Sequence, residues 1–88
     1  MRERHVLRCV DPVHRGCFLV GFTSCSPFVP CFSRDVRRAR VFESLTEAER
    51  VVWETQRRNP MGTGLAAIPL RMEPVDLALV LAAAAEAA

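Results

Sequence analysis

The sequence has no lysine and no tyrosine, and only one asparagine and one glutamine. All twelve of its basic residues are arginine. Arg and Ala standing where Lys and Asn are usual reads as a coding bias rather than a chemical choice. An all-Arg surface still favours bidentate contacts with carboxylate or phosphate over point-charge contacts. Long apolar runs are missing as well. The longest, Leu77 to Ala85, is nine residues, against about 20 needed to span a bilayer, so no membrane partner is expected. Met1-Arg2-Glu3-Arg4-His5 carries no apolar leader. A cytoplasmic location is therefore expected, and with it reduced thiols.

The short motifs of chemistry are absent too. Cys9, Cys17, Cys25 and Cys31, with His5 and His14, could be combined as His14-x-x-Cys17 and Cys25-x5-Cys31. No pair has the two-to-four-residue spacing that sets two thiolates on one tight turn around zinc. Free Cys beside apolar neighbours behaves as a small buried hydrophobe, so no metal and no cofactor are expected. His14 lies in a turn and His5 at a strand start, neither with a recognisable acidic partner, which leaves a Cys or Ser nucleophile without its base. Gly62-Thr63-Gly64 is too little for a phosphate loop. So small a domain also has little room for a pocket, and no enzyme is expected.

What is present is a foldable chain. Eighty-eight residues, half of them hydrophobic, suit one small domain with a real core. The formal charge of +2 decides no partner. His5 to Val10 alternates, with Leu7 and Cys9 on one face and Val6, Arg8 and Val10 on the other, where Arg8 marks a wet side. Asp11 to Gly16 is a turn, and Cys17 to Thr23 resumes as a strand. The resulting hairpin sets Cys9 opposite Cys17 and Leu7 beside Leu19. Ser24 to Pro30 is irregular, and Cys31-Phe32 is a short edge strand. Ser33 then caps a turn through Asp35 to Arg38, and Arg40 to Phe42 forms another strand.

Ser44-Leu45-Thr46-Glu47 has the form of a capping box. Leu45, Ala48, Val51, Val52 and Thr55 recur behind it at helical spacing, giving an amphipathic helix from Leu45 to Arg58. Asn59 to Gly64 ends it. Leu65 to Met72 alternates with Ala66, Ile68, Leu70 and Met72 inward, and Pro69 restricts that run to an edge or a bulge. Pro74-Val75-Asp76 starts an Ala-rich helix from Leu77 to about Ala87. The fold class is α+β: a small, mostly antiparallel sheet of three or four strands, one amphipathic helix packed on it, and an Ala-rich C-terminal helix. Residues 1–73 form the domain, and 74–88 dock on it or on a partner.

Ala39-Arg40-Val41-Phe42-Glu43-Ser44-Leu45-Thr46-Glu47-Ala48, preceded by a hairpin opening His5-Val6-Leu7-Arg8, resembles a pattern of short phage and prophage proteins. These have an N-terminal hairpin followed by A-x-x-F-x-S-x-x-E-A. The likeness covers about residues 4 to 73, and the 24–32 loop and the Ala-rich tail depart from it. It implies a small accessory protein that binds a host or viral protein, such as an anti-CRISPR protein acting on a defence nucleoprotein complex.

Two surfaces are candidates for such contact. Arg34, Arg37, Arg38 and Arg40 sit within seven residues. Interspersed acids make them first a solvated, salt-bridged surface. On one face, Arg34, Arg37 and Arg38 could instead hold a partner's acidic side chains or phosphates. Nucleic acid is the weaker expectation, since no aromatic lies in the Arg turn to stack a base. A nucleic-acid- or zinc-binding regulator built on the Arg turn and the Cys loop remains the alternative. Trp53 falls toward the polar side of its helix. Cover by the C-terminal helix is the favoured expectation, with an exposed interface anchor the other. Leu77, Leu79, Val80 and Leu81 cannot all share one stripe, so the tail is expected to join a homodimer or a partner contact near Trp53.

Overall fold

The structure is a computed structural model and describes residues 3–23, 29–58 and 69–87. It contains β1 (His5–Cys9), β2 (Phe18–Phe22), β3 (Pro30–Ser33), a single 3₁₀ turn (Val36–Arg38), α1 (Leu45–Arg58), β4 (Met72–Asp76) and α2 (Leu77–Ala87). The four strands form one sheet in the order β3-β2-β1-β4. Every pairing is antiparallel. The expected α+β class, the hairpin, the Cys31-Phe32 edge strand and the bounds of α1 are all found. Cys25, Asn59 to Gly64 and the inward positions Ala66 and Ile68 lie outside the described residues.

The two faces of the sheet are covered differently. Leu7, Cys9, Leu19 and Met72 point to one side and pack with Phe42, Ala48 and Leu70, while Val51 and Val52 of α1 close over them. Val6 and Phe18 point the other way and pack with Val36, Ala39 and Leu77, joined by Val75 and Val80. Alternation along β1 thus feeds two cores. The wet face expected from Arg8 is wet only locally. Arg8 is exposed and pairs with Glu73 at 2.6 Å, but Val6, two residues back, is fully buried beneath the 3₁₀ turn and α2.

The hairpin is closed at one end only. Arg8 stands opposite Phe18, and the Cys9 N–H donates to the Cys17 carbonyl at 2.8 Å. Beyond Phe18 the strands part. His5 exchanges two hydrogen bonds with Phe42 instead, both 2.8 Å, and the Arg40 N–H donates to the Leu19 carbonyl at 2.9 Å. The segment read as a strand at Arg40–Phe42 is therefore a wedge holding one isolated bridge. A register shift between Leu19 and Gly21 bends β2 away from β1 and makes the room.

The end of the chain also differs from the expected pattern. The described part of the final strand is Met72–Asp76. Of the run expected over Leu65–Met72, residues 65–68 lie outside the described residues and only Met72 of the remainder is strand. Pro74-Val75-Asp76 is strand and not the start of a helix. Leu70 and Met72 are buried as expected. β4 pairs with β1 along its whole length, from His5 opposite Asp76 to Cys9 opposite Met72. Asp76 then caps α2, its carboxylate accepting from the backbone N–H of Ala78 (2.8 Å) and Leu79 (3.3 Å).

Proline sits in both outer strands, Pro30 in β3 and Pro74 in β4. An edge without its N–H cannot template another strand. The N–H of Met72, on the same side of β4 as position 74, is taken by the Gln56 side-chain oxygen of α1 at 3.0 Å.

Candidate functional site

α1 is entered through the Ser44 half of the expected capping box. The Ser44 hydroxyl accepts from the Glu47 N–H at 3.3 Å, and the Ser44 carbonyl from the Ala48 N–H at 3.1 Å. The stripe that docks on the sheet is Ala48, Val51, Val52 and Thr55, of which Ala48 and Thr55 are fully buried. Leu45, expected in that stripe, is about half exposed (48%) because it lies at the first turn, beyond the edge of the core.

Trp53 points away from the sheet and is 61% exposed. The expected cover by the C-terminal helix does not occur, because α2 packs on the opposite face of the sheet. Instead the Arg57 guanidinium lies over the indole, 5.1 Å from its centre. Glu54 holds Arg57 at 3.1 Å and Arg58 at 3.5 Å. These hydrogen bonds, that from Arg57 first, keep the Glu54 carboxyl below its ordinary range. The outer face of α1 is thus an exposed aromatic with an arginine tied across it.

The Arg turn is not three equivalent cations. Asp35, not Ser33, caps the 3₁₀ turn, accepting the Arg37 N–H at 3.0 Å, while the Ser33 hydroxyl accepts the Asp35 N–H at 3.1 Å. The Arg37 guanidinium folds back onto the same carboxylate at 3.1 and 3.3 Å. Those contacts lower the Asp35 pKa and raise that of Arg37. Arg34 turns toward the β1–β2 connection. Gly16 has φ +88°, and a Cβ there would stand 3.5 Å from the Arg34 guanidinium. Arg38 is exposed, and among the described residues neither it nor Arg34 forms an ion pair. The turn also borders an open groove of about 360 Å³ lined by Val36, Arg37, Leu81, Ala84 and Ala85.

One polar centre was not foreseen. His14, expected to lack an acidic partner, has Asp11. The Asp11 carboxylate accepts the His14 N–H at 3.1 Å and contacts His14 Nδ1 at 2.9 Å, and its other oxygen accepts the Arg71 N–H at 3.3 Å. Asp11 is 1% exposed. Burial pushes its pKa up, but the His14 side chain and the backbone N–H groups of Arg71 and His14 outweigh this, and the net shift is downward. Asp followed by Pro at the head of a turn was the signal, since Asp carboxylates accept N–H groups a few residues on. The partner at Arg71, 60 residues away, had no local trace. The His14 ring also lies 4.6 Å from that of Phe32.

Cys9, Cys17 and Cys31 are free thiols. Among the described residues, no group of three or more His, Cys, Asp or Glu is placed to hold a metal ion. No described helix is long and apolar enough to cross a membrane. No protein family, no curated protein and no solved structure matches the chain.

Proposed function

We propose that this chain is a non-enzymatic protein-binding module that uses the outer face of α1, with Trp53 at its centre. The observation that carries the reading is the 61% exposure of Trp53 beneath a guanidinium already fixed by Glu54. Trp and Arg dominate the binding energy of many interfaces, and side chains ordered beforehand lose less entropy on association. Arg34 and Arg38, which lack ion pairs among the described residues, supply a second, electrostatic contact. Arg37 contributes less there, because a partner's carboxylate must first displace Asp35.

The resemblance to phage and prophage accessory proteins sets the biological frame. In that frame the partner is a protein of the host cytoplasm, and the outcome is inhibition of a defence complex of the anti-CRISPR kind. Affinity capture from host lysate with tagged chain, followed by titration of the captured protein, tests it. Trp53→Ala is expected to weaken binding by at least about 2 kcal/mol, roughly 30-fold. It should leave folding unchanged to within about 0.5 kcal/mol, as for other exposed sites. Unaltered affinity in that variant removes the α1 face from consideration. Arg34 and Arg38 changed together to Glu should lower the association rate and its salt dependence.

A further inference from the structure

We infer that Cys9 and Cys17 are a paired modification site, two thiols that a small disulfide oxidant converts into a bridge across β1 and β2. The observation is their register. Arg8 stands opposite Phe18, so the next step along the hairpin sets Cys9 opposite Cys17, and the Cys9 N–H donates to the Cys17 carbonyl at 2.8 Å. The pair keeps one of the two bonds of a regular rung, since the Cys17 N–H turns back to the His14 carbonyl at 2.9 Å. Directly opposed residues in a hydrogen-bonded rung have Cα atoms about 5.5 Å apart and side chains on one face. Disulfides need Cα separations of about 4.4–6.8 Å. Both side chains belong to the core beneath α1, Cys9 buried and Cys17 packed against it. Both are thiols in this structure. Cys31 is excluded from the pair by position, since it stands opposite Gly21 on the far side of β2.

Unequal access sets the order of events. Cys9 is 1% exposed and closed to any oxidant, whereas Cys17 is half-buried and can be reached. The Cys17 thiolate attacks one sulfur of a small disulfide RSSR, forming Cys17–S–S–R and expelling RS⁻. Cys9 then gives its proton to water and attacks the Cys17 sulfur, forming the Cys9–Cys17 bond and expelling a second RS⁻. Two protein thiols are oxidised, one RSSR is reduced to two RSH, and the two protein protons balance the exchange. Burial first, then the charges of Asp11 and Cys17, pushes the Cys9 thiol up to about 12. Closure is therefore slow at neutral pH and quickens as pH rises, by up to about tenfold per unit where the thiolate is scarce. The bridge would fasten the base of the turn that holds Asp11 and His14.

The test uses the full chain carrying Cys25→Ser and Cys31→Ser, incubated with oxidised glutathione at pH 8.5, alkylated and weighed. A mass lower by about 2 Da without alkylation of either thiol is expected, together with a tryptic link between segments 9–15 and 16–34. Adding Cys9→Ala should stop the reaction at one glutathione on Cys17. A persistent mixed disulfide on Cys17 with Cys9 intact overturns the inference. So does full alkylation of both thiols after oxidation. Should the substituted chains fail to fold, the unsubstituted protein decides by fragmentation of the linked peptide. A bond from Cys17 to Cys25 or Cys31 in place of Cys9 also overturns it.

Discussion

The two helices lie on opposite faces of one sheet and are held there in different ways. α1 has an ordinary helix-forming sequence with a sharp division between its sides, and it buries Ala48 and Thr55 a full two turns apart. α2 is richer in Ala and Leu, the better helix formers, yet it docks through Leu77 and Val80 in its first turn. Its other residues through Glu86 are exposed, Leu79 to 71%. Propensity makes a helix, and patterning attaches it. A sequence apolar on every side carries no instruction about which side to bury.

Core substitutions should show this asymmetry most strongly. Phe42, 1% exposed, locks the wedge to β1 and packs beneath α1. Phe42→Ala is expected to cost about 3–5 kcal/mol in urea unfolding, and Leu77→Ala nearer about 2. Equal losses would mean that α2 is held as firmly as α1. Next in size is removal of α2 after Asp76. That forfeits the burial of Leu77 and part of Val80, about 2–4 kcal/mol. The emission of Trp53 should not move, because the indole lies on the other face. A spectral shift on truncation would place the tail against α1 after all.

Much of the α1 side was legible in the sequence, because each of its signals is local. Ser44 caps, Ala48 and Thr55 fall on the buried side, and Glu54 reaches Arg57 and Arg58 within one turn. The other side depended on distant partners. Arg8 marked its face as wet, but whether Val6 is covered depends on Val36 and Leu77, which arrive from elsewhere. The exposure of Trp53 turned on where α2 docks, and a helix of uniform hydropathy cannot announce that. The Arg40–Phe42 wedge escaped for the same reason, since alternation shows a pairing strand but not a single bridge.

Acid provides a third way to separate the regions. Asp11 ties the β1–β2 turn to Arg71 just before β4. Its folded pKa lies below its unfolded value, so its stabilisation is complete above the unfolded value near 3.9. That contribution is lost as pH falls through the folded pKa. Asp11→Asn is expected to cost about 1–3 kcal/mol at pH 7 and to flatten the acid limb below about pH 4. An unchanged acid limb would show that other carboxylates set it. The smallest effect belongs to the caps. Ser44→Ala should cost about 1 kcal/mol, and no change would mean that α1 does not depend on that hydroxyl.

The position of β1 has a consequence for the order in which the protein can be made. β1 is an inner strand whose fully paired neighbour is β4, and Arg8 meets Glu73 65 residues later. On its other side the sheet is completed only when Phe42 reaches His5. A ribosome adding about 5–20 residues per second leaves β1 without β4 for on the order of 3–13 seconds. Over that interval Val6 and Leu7, both fully buried at the end, face incomplete cores that still lack Met72 on one side and Leu77 on the other. Completion of the sheet around β1 therefore waits for every element from β2 to β4, and β1 is the apolar segment that a holding chaperone would cover in the meantime.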